Sequence, residues 1–302
     1  MNRLSLLVVL TLSLLVTACV SHEGAPTKKK SKRSFETDTA EYRYTVQRGL
    51  TYTPDGWPQE LKADIYSPRG LGPYAAVLVI PGGGWESGER DDMDDFCERL
   101  AEHGYVAVTI DYRHAPQYKF PSQLHDVQQA VRWLRTKAES LSVEPDRIGV
   151  LGYSAGGHLA ALLGSVGEGD PLDTPYGGSD TRVRAVVSGA GPTDLRKYEG
   201  GELVPQFIGG SREQMPDAFA LASPITHVSA NDPPMFFYHG TVDTLVPPDH
   251  SQDMKKALDA VNVPSELYLL SGLGHITAFY FDGRPMKAAL NFLDRHLRAG
   301  MF

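Results

Sequence analysis

One short stretch, VLGYSAGGHLA at residues 150–160, limits the folds open to this chain more than any other feature. An apolar run leads into it, a serine follows a glycine and a tyrosine, and small residues continue after the serine. Glycine costs conformational entropy inside regular structure, so glycines on both sides of one serine indicate a backbone bent too sharply for a Cβ atom. The pattern G-x-S-x-G, between a strand and a helix, predicts a tight turn with Ser154 at its tip.

Apolar runs alternate with amphipathic segments through most of the chain. AAVLVIPGGG and YVAVTIDYR are continuous apolar runs, which are typical of buried parallel strands. Residues 123–138 repeat apolar side chains at helical spacing. This alternation predicts an α/β fold with a mainly parallel central sheet and helices on both faces. We expect LKADIYSP, residues 61–68, to be an exposed edge strand, and residues 192–232, rich in glycine and proline, to be irregular.

The N-terminal end has the pattern of an exported protein. Residues 1–18 combine one positive charge at Arg3 with an apolar run too short to span a bilayer comfortably, and they are predicted to be a signal peptide. LVTAC, which ends at Cys19, resembles a bacterial lipobox and predicts cleavage before Cys19 and lipidation of its thiol. An ordinary secretory signal with a chance cysteine is the alternative. The expected location is the bacterial cell envelope, on the outer membrane or the periplasmic face in a Gram-negative cell.

Residues 19–40 are predicted to be a flexible, lipid-anchored tether, and residues 41–302 a single catalytic domain. The tether contains TKKKSKRS and no apolar periodicity, which favours a solvated spacer over a surface for anionic lipid or nucleic acid. The formal net charge of −8 also argues against a nucleic-acid partner. Besides Cys19 the chain has only Cys97, which we predict to be a buried structural thiol.

A serine hydroxyl needs a base, and the base needs an acid that holds its tautomer. After Ser154, Asp243 in HGTVDTLVP and His275 in SGLGHITAF each follow a predicted strand, in the order Ser, Asp, His that this architecture uses. These three are the predicted catalytic residues. Among the other histidines, His158 is predicted to point away from the site and His239 to be structural. The alternatives for Asp243 and His275 taken singly are a turn cap and a surface loop residue.

A glycine run, IPGGGWESG at residues 80–88, follows another apolar strand. Consecutive glycines can turn backbone N–H groups into open space, and Gly83, Gly84 and Ala155 are the predicted oxyanion-hole donors. A phosphate-binding loop is the alternative, but the run lacks the Lys-Ser/Thr ending of a P-loop. No metal-ligand spacing occurs, and no metal or cofactor is expected.

With PGGGW, GYSAGGHLA, GPTDL, HGTVDTLVP and the GLGH turn together, residues 61–297 resemble the α/β-hydrolase family. Within it they are similar to small bacterial esterases and lipases of the hormone-sensitive-lipase and BD-FAE branches. The resemblance implies the α/β-hydrolase fold without a large cap domain, and the same triad and oxyanion donors. It also implies that Asp111, Arg113 and Asp126 are structural. GHLA favours the BD-FAE branch, which includes esterases of acetylated and feruloylated carbohydrates.

Two residues depart from the family pattern. Pro81 replaces the usual histidine before the glycines, which raises the question of what supports this loop. Tyr153 replaces the aspartate usual in the lipase branch.

We expect a serine carboxylic-ester hydrolase acting on short acyl esters, carbohydrate esters among the possibilities. The alternatives are an arylformamidase or a peptidase with the same triad, and a surface binding protein of this fold that lacks catalysis.

Overall fold

Nine strands form one sheet in the computed structural model, which describes residues 21–23 and 44–299. In chain order the strands are β1 (Ser21–Glu23), β2 (Tyr44–Thr51), β3 (Lys62–Pro68), β4 (Tyr74–Ile80), β5 (Val106–Ile110), β6 (Val143–Tyr153), β7 (Val186–Gly189), β8 (Met235–Gly240) and β9 (Ser265–Leu270). Across the sheet the order is β1-β9-β8-β7-β6-β4-β5-β3-β2. The pairs from β5 through β9 are parallel, whereas β1, β2 and β3 pair antiparallel, which confirms the predicted mainly parallel sheet.

Helices cover both faces of the sheet. They are α1 (Asp94–Glu102), α2 (Ser122–Thr136), α3 (Ala155–Ser165), α4 (Leu203–Ile208), α5 (Pro216–Leu221), α6 (Asp249–Ala260), α7 (His275–Tyr280) and α8 (Gly283–Leu293), after which Asp294–Arg298 make a π-helical turn. One apolar core contains α2, α3 and α6, and a second core on the opposite face contains α1 and α8. Cys97 is buried in the second core as a free thiol, and burial raises its pKa well above the ordinary value.

Strand β3 is not the exposed edge that its alternating sequence predicted. It lies between β5 and β2, with most of its residues buried. The polar residue Asp64 gave the alternating appearance, but it is 1% exposed and accepts ion pairs from Arg48 and Arg90. A buried carboxylate paired with two guanidiniums looks like a surface residue in the sequence.

Residues 192–232 are also more ordered than predicted. They contain α4 and α5, each six residues long, and two short 3₁₀ turns. A six-residue helix shows less than two turns of periodicity, so glycine and proline around it dominate the sequence pattern.

Part of the predicted tether joins the sheet. Strand β1 pairs antiparallel with β9, with Ser21 opposite Leu269. The edge of β9 offers unpaired backbone groups, which a short segment can use without an apolar pattern of its own. Cys19 and the signal peptide lie outside the described residues. Within the described part of the chain, none of the helices combines the length and apolar character needed to cross a bilayer.

Candidate active site

The turn between β6 and α3 holds Ser154 in a backbone conformation that side chains rarely adopt. Its φ and ψ are 54° and −121°. A Cβ on Gly152 would lie 2.2 Å from the Gly156 carbonyl oxygen, and a Cβ on Gly156 would lie 2.1 Å from that of Ile80. Both distances are shorter than any real contact, so only glycine fits at either position. The turn is therefore as tight as the sequence predicted, and it presents Ser154 at the carboxyl edge of the sheet.

His275 lies within hydrogen-bond distance of both of its predicted partners. It is the first residue of α7, just beyond β9. Its Nε2 is 2.8 Å from Ser154 Oγ, and its Nδ1 is 2.7 Å from Asp243 Oδ2. An ionised carboxylate can only accept, which assigns the proton to Nδ1 and leaves Nε2 free to accept from the serine hydroxyl. The structure thus brings together the three predicted residues, which lie at 154, 243 and 275 in the chain.

Asp243 is held as an ionised acceptor by four donors. Its Oδ1 accepts from the backbone N–H groups of Leu245, at 3.0 Å, and Val246, at 2.9 Å. Its Oδ2 accepts from His275 and also lies 3.3 Å from His239 Nε2. Burial by itself raises the pKa of Asp243, but the hydrogen bonds from His239, His275 and Val246 outweigh it and hold this pKa well below its usual range.

His239 is structural, as predicted, but its contact with the acid was not foreseen. It is fully buried at the end of β8. Its Nε2 donates to the Val246 carbonyl at 2.8 Å, and its Nδ1 accepts from the Ser251 hydroxyl at 2.7 Å. The spacing of four residues between His239 and Asp243 was the available signal, since the chain turns back on itself just after the strand.

Tyr153 connects the serine turn to the loop that carries the base. Its hydroxyl donates to the His275 carbonyl oxygen at 2.5 Å, and the ring is 3% exposed. Burial raises the pKa of Tyr153 far above its ordinary value, so the hydroxyl keeps its proton. The residue that replaces the lipase-branch aspartate therefore fixes the backbone of His275.

The glycine loop after β4 faces the same space as Ser154. Gly83 and Gly84 have φ angles of 103° and 61°, and the Gly83 carbonyl accepts from the N–H groups of Glu86 and Ser87. Within residues 44–299, the N–H groups of Gly83, Gly84 and Ala155 donate to no protein acceptor. Gly84 and Ala155 line one cleft beside Ser154, and Gly83 and Gly84 line the other. These N–H groups are therefore free to bind an oxyanion.

Two side chains support the loop where Pro81 replaces the family histidine. The Tyr112 hydroxyl donates to the carbonyls of Pro81 and Gly82, at 3.2 and 3.1 Å. The next residue after the glycines, Trp85, donates from its indole Nε1 to His158 Nδ1 at 3.2 Å. His158 points away from Ser154, as predicted, and its Nε2 donates to the Ala222 carbonyl at 2.7 Å. Burial lowers the pKa of His158 to about 4, which keeps this imidazole neutral.

The three residues that the resemblance implies to be structural form ion pairs behind the site. Arg113 and Asp126 make a buried pair at 2.8 Å, and Arg90 contacts Asp111 at 2.6 Å. The Arg113 backbone N–H also donates to Asp126, which ties the loop after β5 to α2.

Two clefts meet at Ser154. The first, of about 410 Å³, is here called the roofed cleft because residues 197–204 form its outer wall; Trp85, Leu203, Val204 and Val246 make most of its lining apolar. The second, of about 630 Å³, is here called the acidic cleft, and His275 lines it but not the first. Its carboxylates are Glu86, Asp91, Asp92, Asp94, Asp95 and Asp282.

Known proteins resemble this chain over most of its length. The BD-FAE family model matches residues 63–258, more than half of the 302 residues. Esterase LipC of Mycobacterium tuberculosis is 33% identical over 247 residues, which are 77% of this chain and 60% of LipC. The chain spans about half the length of the curated relatives it matches, with 60%, 48% and 53% of the first three covered.

Two solved structures share the whole architecture. A truncated form of a carbohydrate esterase from gut microbiota superposes with a TM-score of 0.75 at 26% identity, over 85% of this chain and 98% of the other. An acetyl ester-xyloside bifunctional hydrolase from Caldicellulosiruptor lactoaceticus superposes with a TM-score of 0.69 at 26% identity, over 80% of this chain and 90% of the other. These likenesses confirm the predicted fold.

Proposed function

The chain belongs to the BD-FAE family and has the α/β-hydrolase fold, and from this premise we propose that it is a serine carboxylic-ester hydrolase. The substrates proposed are esters of short acyl groups, carbohydrate acetates among them. The observation that carries the proposal is the continuous hydrogen-bond path from Ser154 through His275 to Asp243. The similarity to LipC, a carbohydrate esterase and an acetyl ester-xyloside hydrolase supports ester chemistry over amide chemistry.

In the proposed reaction, Ser154 Oγ attacks the acyl carbon while His275 Nε2 takes the hydroxyl proton. The carbonyl oxygen becomes an oxyanion between the N–H groups of Gly83, Gly84 and Ala155. Asp243 keeps the imidazole in the Nδ1–H tautomer and stabilises the imidazolium. His275 then gives the proton to the leaving alkoxide oxygen, and the bond between the acyl carbon and that oxygen breaks.

The second half of the reaction releases the acid. A water molecule gives its proton to His275 Nε2 as its oxygen attacks the acyl-enzyme carbon. The proton passes to Ser154 Oγ as that bond breaks, which regenerates the serine and frees the carboxylic acid. No cofactor or metal takes part in these steps.

Labelling by a fluorophosphonate probe tests the nucleophile. Wild-type protein should be labelled on Ser154, and Ser154→Ala should not be labelled. Ser140→Ala is the matched control, because Ser140 is an exposed serine far along the chain from the site, and its labelling should equal that of wild type. An unlabelled wild type would favour a non-catalytic binding protein.

Hydrolysis assays test the substrate class. A series of p-nitrophenyl esters from acetate to octanoate should give the highest kcat/KM at the short end, and acetylated xylo-oligosaccharides should release acetate. Faster cleavage of N-formylkynurenine or of an aminoacyl anilide than of any ester would replace the esterase proposal with an arylformamidase or a peptidase.

Attachment to the membrane through lipidated Cys19 is a separate part of the proposal, and its support is the apolar run followed by LVTAC. Two lipid chains anchor stably where one does not. Cys19→Ser should move the protein from the membrane to the soluble fraction of a bacterial host without a loss of specific activity. A soluble wild type whose N-terminus is another residue would exclude the anchor.

A further inference from the structure

The two clefts at Ser154 have different positions relative to the proposed base. His275 lines the acidic cleft and does not line the roofed cleft. In the proposed reaction, His275 Nε2 must reach the leaving oxygen to protonate it. The alcohol part of the ester therefore lies on the His275 side, in the acidic cleft, and the acyl group lies in the roofed cleft.

The acidic cleft carries an excess of negative charge. Six carboxylates line it, and Arg99 is its only lining cation. Arg99 is itself paired with Asp282 at 2.8 Å, and Asp94 is paired with Arg48 at 2.7 Å. Within residues 44–299, the side chains of Glu86, Asp91 and Asp95 are in no ion pair and accept no hydrogen bond. The alcohol that enters this cleft therefore meets several carboxylates that no protein cation neutralises.

A second feature of the cleft is an unsatisfied acceptor in its wall. Asp282 is 4% exposed, and its Oδ1 accepts from Arg99. Its Oδ2 is buried without a hydrogen-bond partner among the described residues. A buried carboxylate oxygen without a donor is costly, and hydroxyl groups are donors that an anionic ligand group cannot replace.

Apolar side chains form another part of the same cleft. Ile276 and Tyr280 are 64% and 73% exposed, and Phe279 lies between them along α7. Exposed aromatic and aliphatic side chains beside carboxylates suit a ligand with an apolar ring face and a rim of hydroxyl donors. A pyranoside has both features.

We infer that the acidic cleft selects the alcohol part of the substrate, accepting an uncharged, hydroxyl-rich alcohol such as a neutral pyranoside and disfavouring one that carries a carboxylate. This inference rests on the proposed esterase function and adds the substrate class of its leaving group. Unit charges about 8 Å apart in high-dielectric surroundings repel each other only weakly, but several unpaired carboxylates together should lower kcat/KM for an anionic alcohol roughly tenfold at low ionic strength.

The test compares two esters that differ in one group. They are a singly acetylated methyl glucopyranoside and the matching methyl glucopyranosiduronate, which has a carboxylate in place of the hydroxymethyl group. Wild-type protein should prefer the neutral ester by about tenfold at about 10 mM salt, and about 0.5 M salt should reduce the preference to within about threefold. The triple variant Glu86→Gln, Asp91→Asn, Asp95→Asn should show the reduced preference already at low salt.

The control variant makes the same change in net charge elsewhere. Asp55, Glu139 and Glu168 are exposed carboxylates outside both clefts, and Asp55→Asn, Glu139→Gln, Glu168→Gln should keep the wild-type preference. Equal reduction in both triple variants would assign the effect to total charge and overturn the inference. Equal kcat/KM for the two esters in wild type would overturn it directly, whether or not the variants fold.

Acetylcholine separates charge from hydroxyl recognition, because its alcohol is cationic and has no further hydroxyl group. A kcat/KM below that of the neutral pyranoside ester supports the inference, and one tenfold above it would make the cleft a cation site instead. Hydrolysis of p-nitrophenyl acetate that depends on Ser154 keeps the proposed function intact in either case. Loss of that activity in wild type would reject the proposed function, not only the inference.

Discussion

The serine turn and residues 197–204 lie on opposite sides of the roofed cleft, and they differ in how much room their backbones have. Added Cβ atoms on Gly152 and Gly156 would lie 2.2 and 2.1 Å from backbone oxygens. Gly200 and Gly201, across the cleft, have no atom within 4 Å of the same position. The side that holds the proposed reacting groups is determined by backbone contacts without slack, whereas the side that faces the acyl group has open space.

Both sides contain or contact a histidine, an aspartate and a glycine, which allows matched comparisons. His250 stacks on Tyr198 with ring centroids 5.4 Å apart, and Asp249 accepts from Lys197 Nζ at 2.9 Å. His275, Asp243 and Gly156 are their counterparts on the serine side. Residue type alone therefore predicts nothing, and the effect of each substitution depends on which side it lies.

Replacement of the base should have the largest effect. His275→Ala removes the only acceptor in contact with Ser154 Oγ among the described residues, and kcat on p-nitrophenyl acetate should fall about 10⁴- to 10⁶-fold, as in other serine hydrolases. The counterpart is His250→Asn, which preserves an acceptor for the Asp194 N–H and should leave kcat within about threefold. The reverse ranking, measured on folded protein, would place the base on the other side of the cleft.

Replacement of the acid should come next. In Asp243→Asn the amide would present N–H to His275 Nδ1, which favours the tautomer whose Nε2 cannot accept a proton. The loss should appear in kcat more than in KM, by up to roughly 10⁴-fold, on the serine-protease precedent. Asp249→Asn weakens only an exposed contact to Lys197 and should retain most activity. Full activity in Asp243→Asn would remove this residue from the proposed triad.

Replacement of a glycine should act through the fold. Gly156→Ala forces a Cβ against the Ile80 carbonyl, so the turn or β4 must shift, and we expect a loss of stability of about 2–4 kcal/mol together with most activity. Gly200→Ala meets open space and should change the free energy of unfolding by less than about 0.5 kcal/mol. Urea denaturation of the two variants checks the difference. Equal stability would mean that the turn has more freedom than its contacts indicate.

The smallest predicted effect concerns pH, and it involves a residue that bridges the two sides. His158 accepts from Trp85 and donates to Ala222, and burial lowers its pKa to about 4 from an ordinary 6.5. Between these values the unfolded chain binds the proton more than the folded chain does, so stability falls as pH decreases from about 6.5 toward 4. Its contribution is up to about 3 kcal/mol.

Urea denaturation at several pH values isolates this contribution. His158→Gln should be less stable than wild type at pH 7.5, and its stability should decline less between about pH 6.5 and 4.5. A decline as steep as that of wild type would show that other groups carry the acid sensitivity. Asp243 cannot account for this window, since a depressed carboxylate pKa loses its stabilising effect only at lower pH.

The contrast between the two sides also explains what could be predicted from the sequence. The serine turn was predictable because only glycine fits where a Cβ would collide, so the backbone requirement appears directly as letters. Ser154, Asp243 and His275 were placed together because each follows a parallel strand, and the carboxyl ends of such strands share one edge. The catalytic roles of these residues stay predictions until the variants are measured.

Contacts between side chains far apart in the chain could not be predicted in the same way. The hydrogen bond from Tyr153 to the His275 carbonyl spans 122 residues, and tyrosine has no backbone requirement that signals it. The approach of His239 to Asp243 depends on how the chain turns after β8. The helices α4 and α5 are too short for periodicity, and β1 pairs with a sheet edge that no local pattern indicates.

The open space around Gly200 and Gly201 has a consequence for how such a chain can diversify. Residues inserted between these glycines would extend into solvent over the roofed cleft, without entering either apolar core. Insertions in exposed loops cost little, because closing a longer loop adds only a small entropic penalty. A lineage could therefore lengthen this stretch and acquire new acyl preferences by gene duplication and drift, while the turn at Ser154 is inherited unchanged.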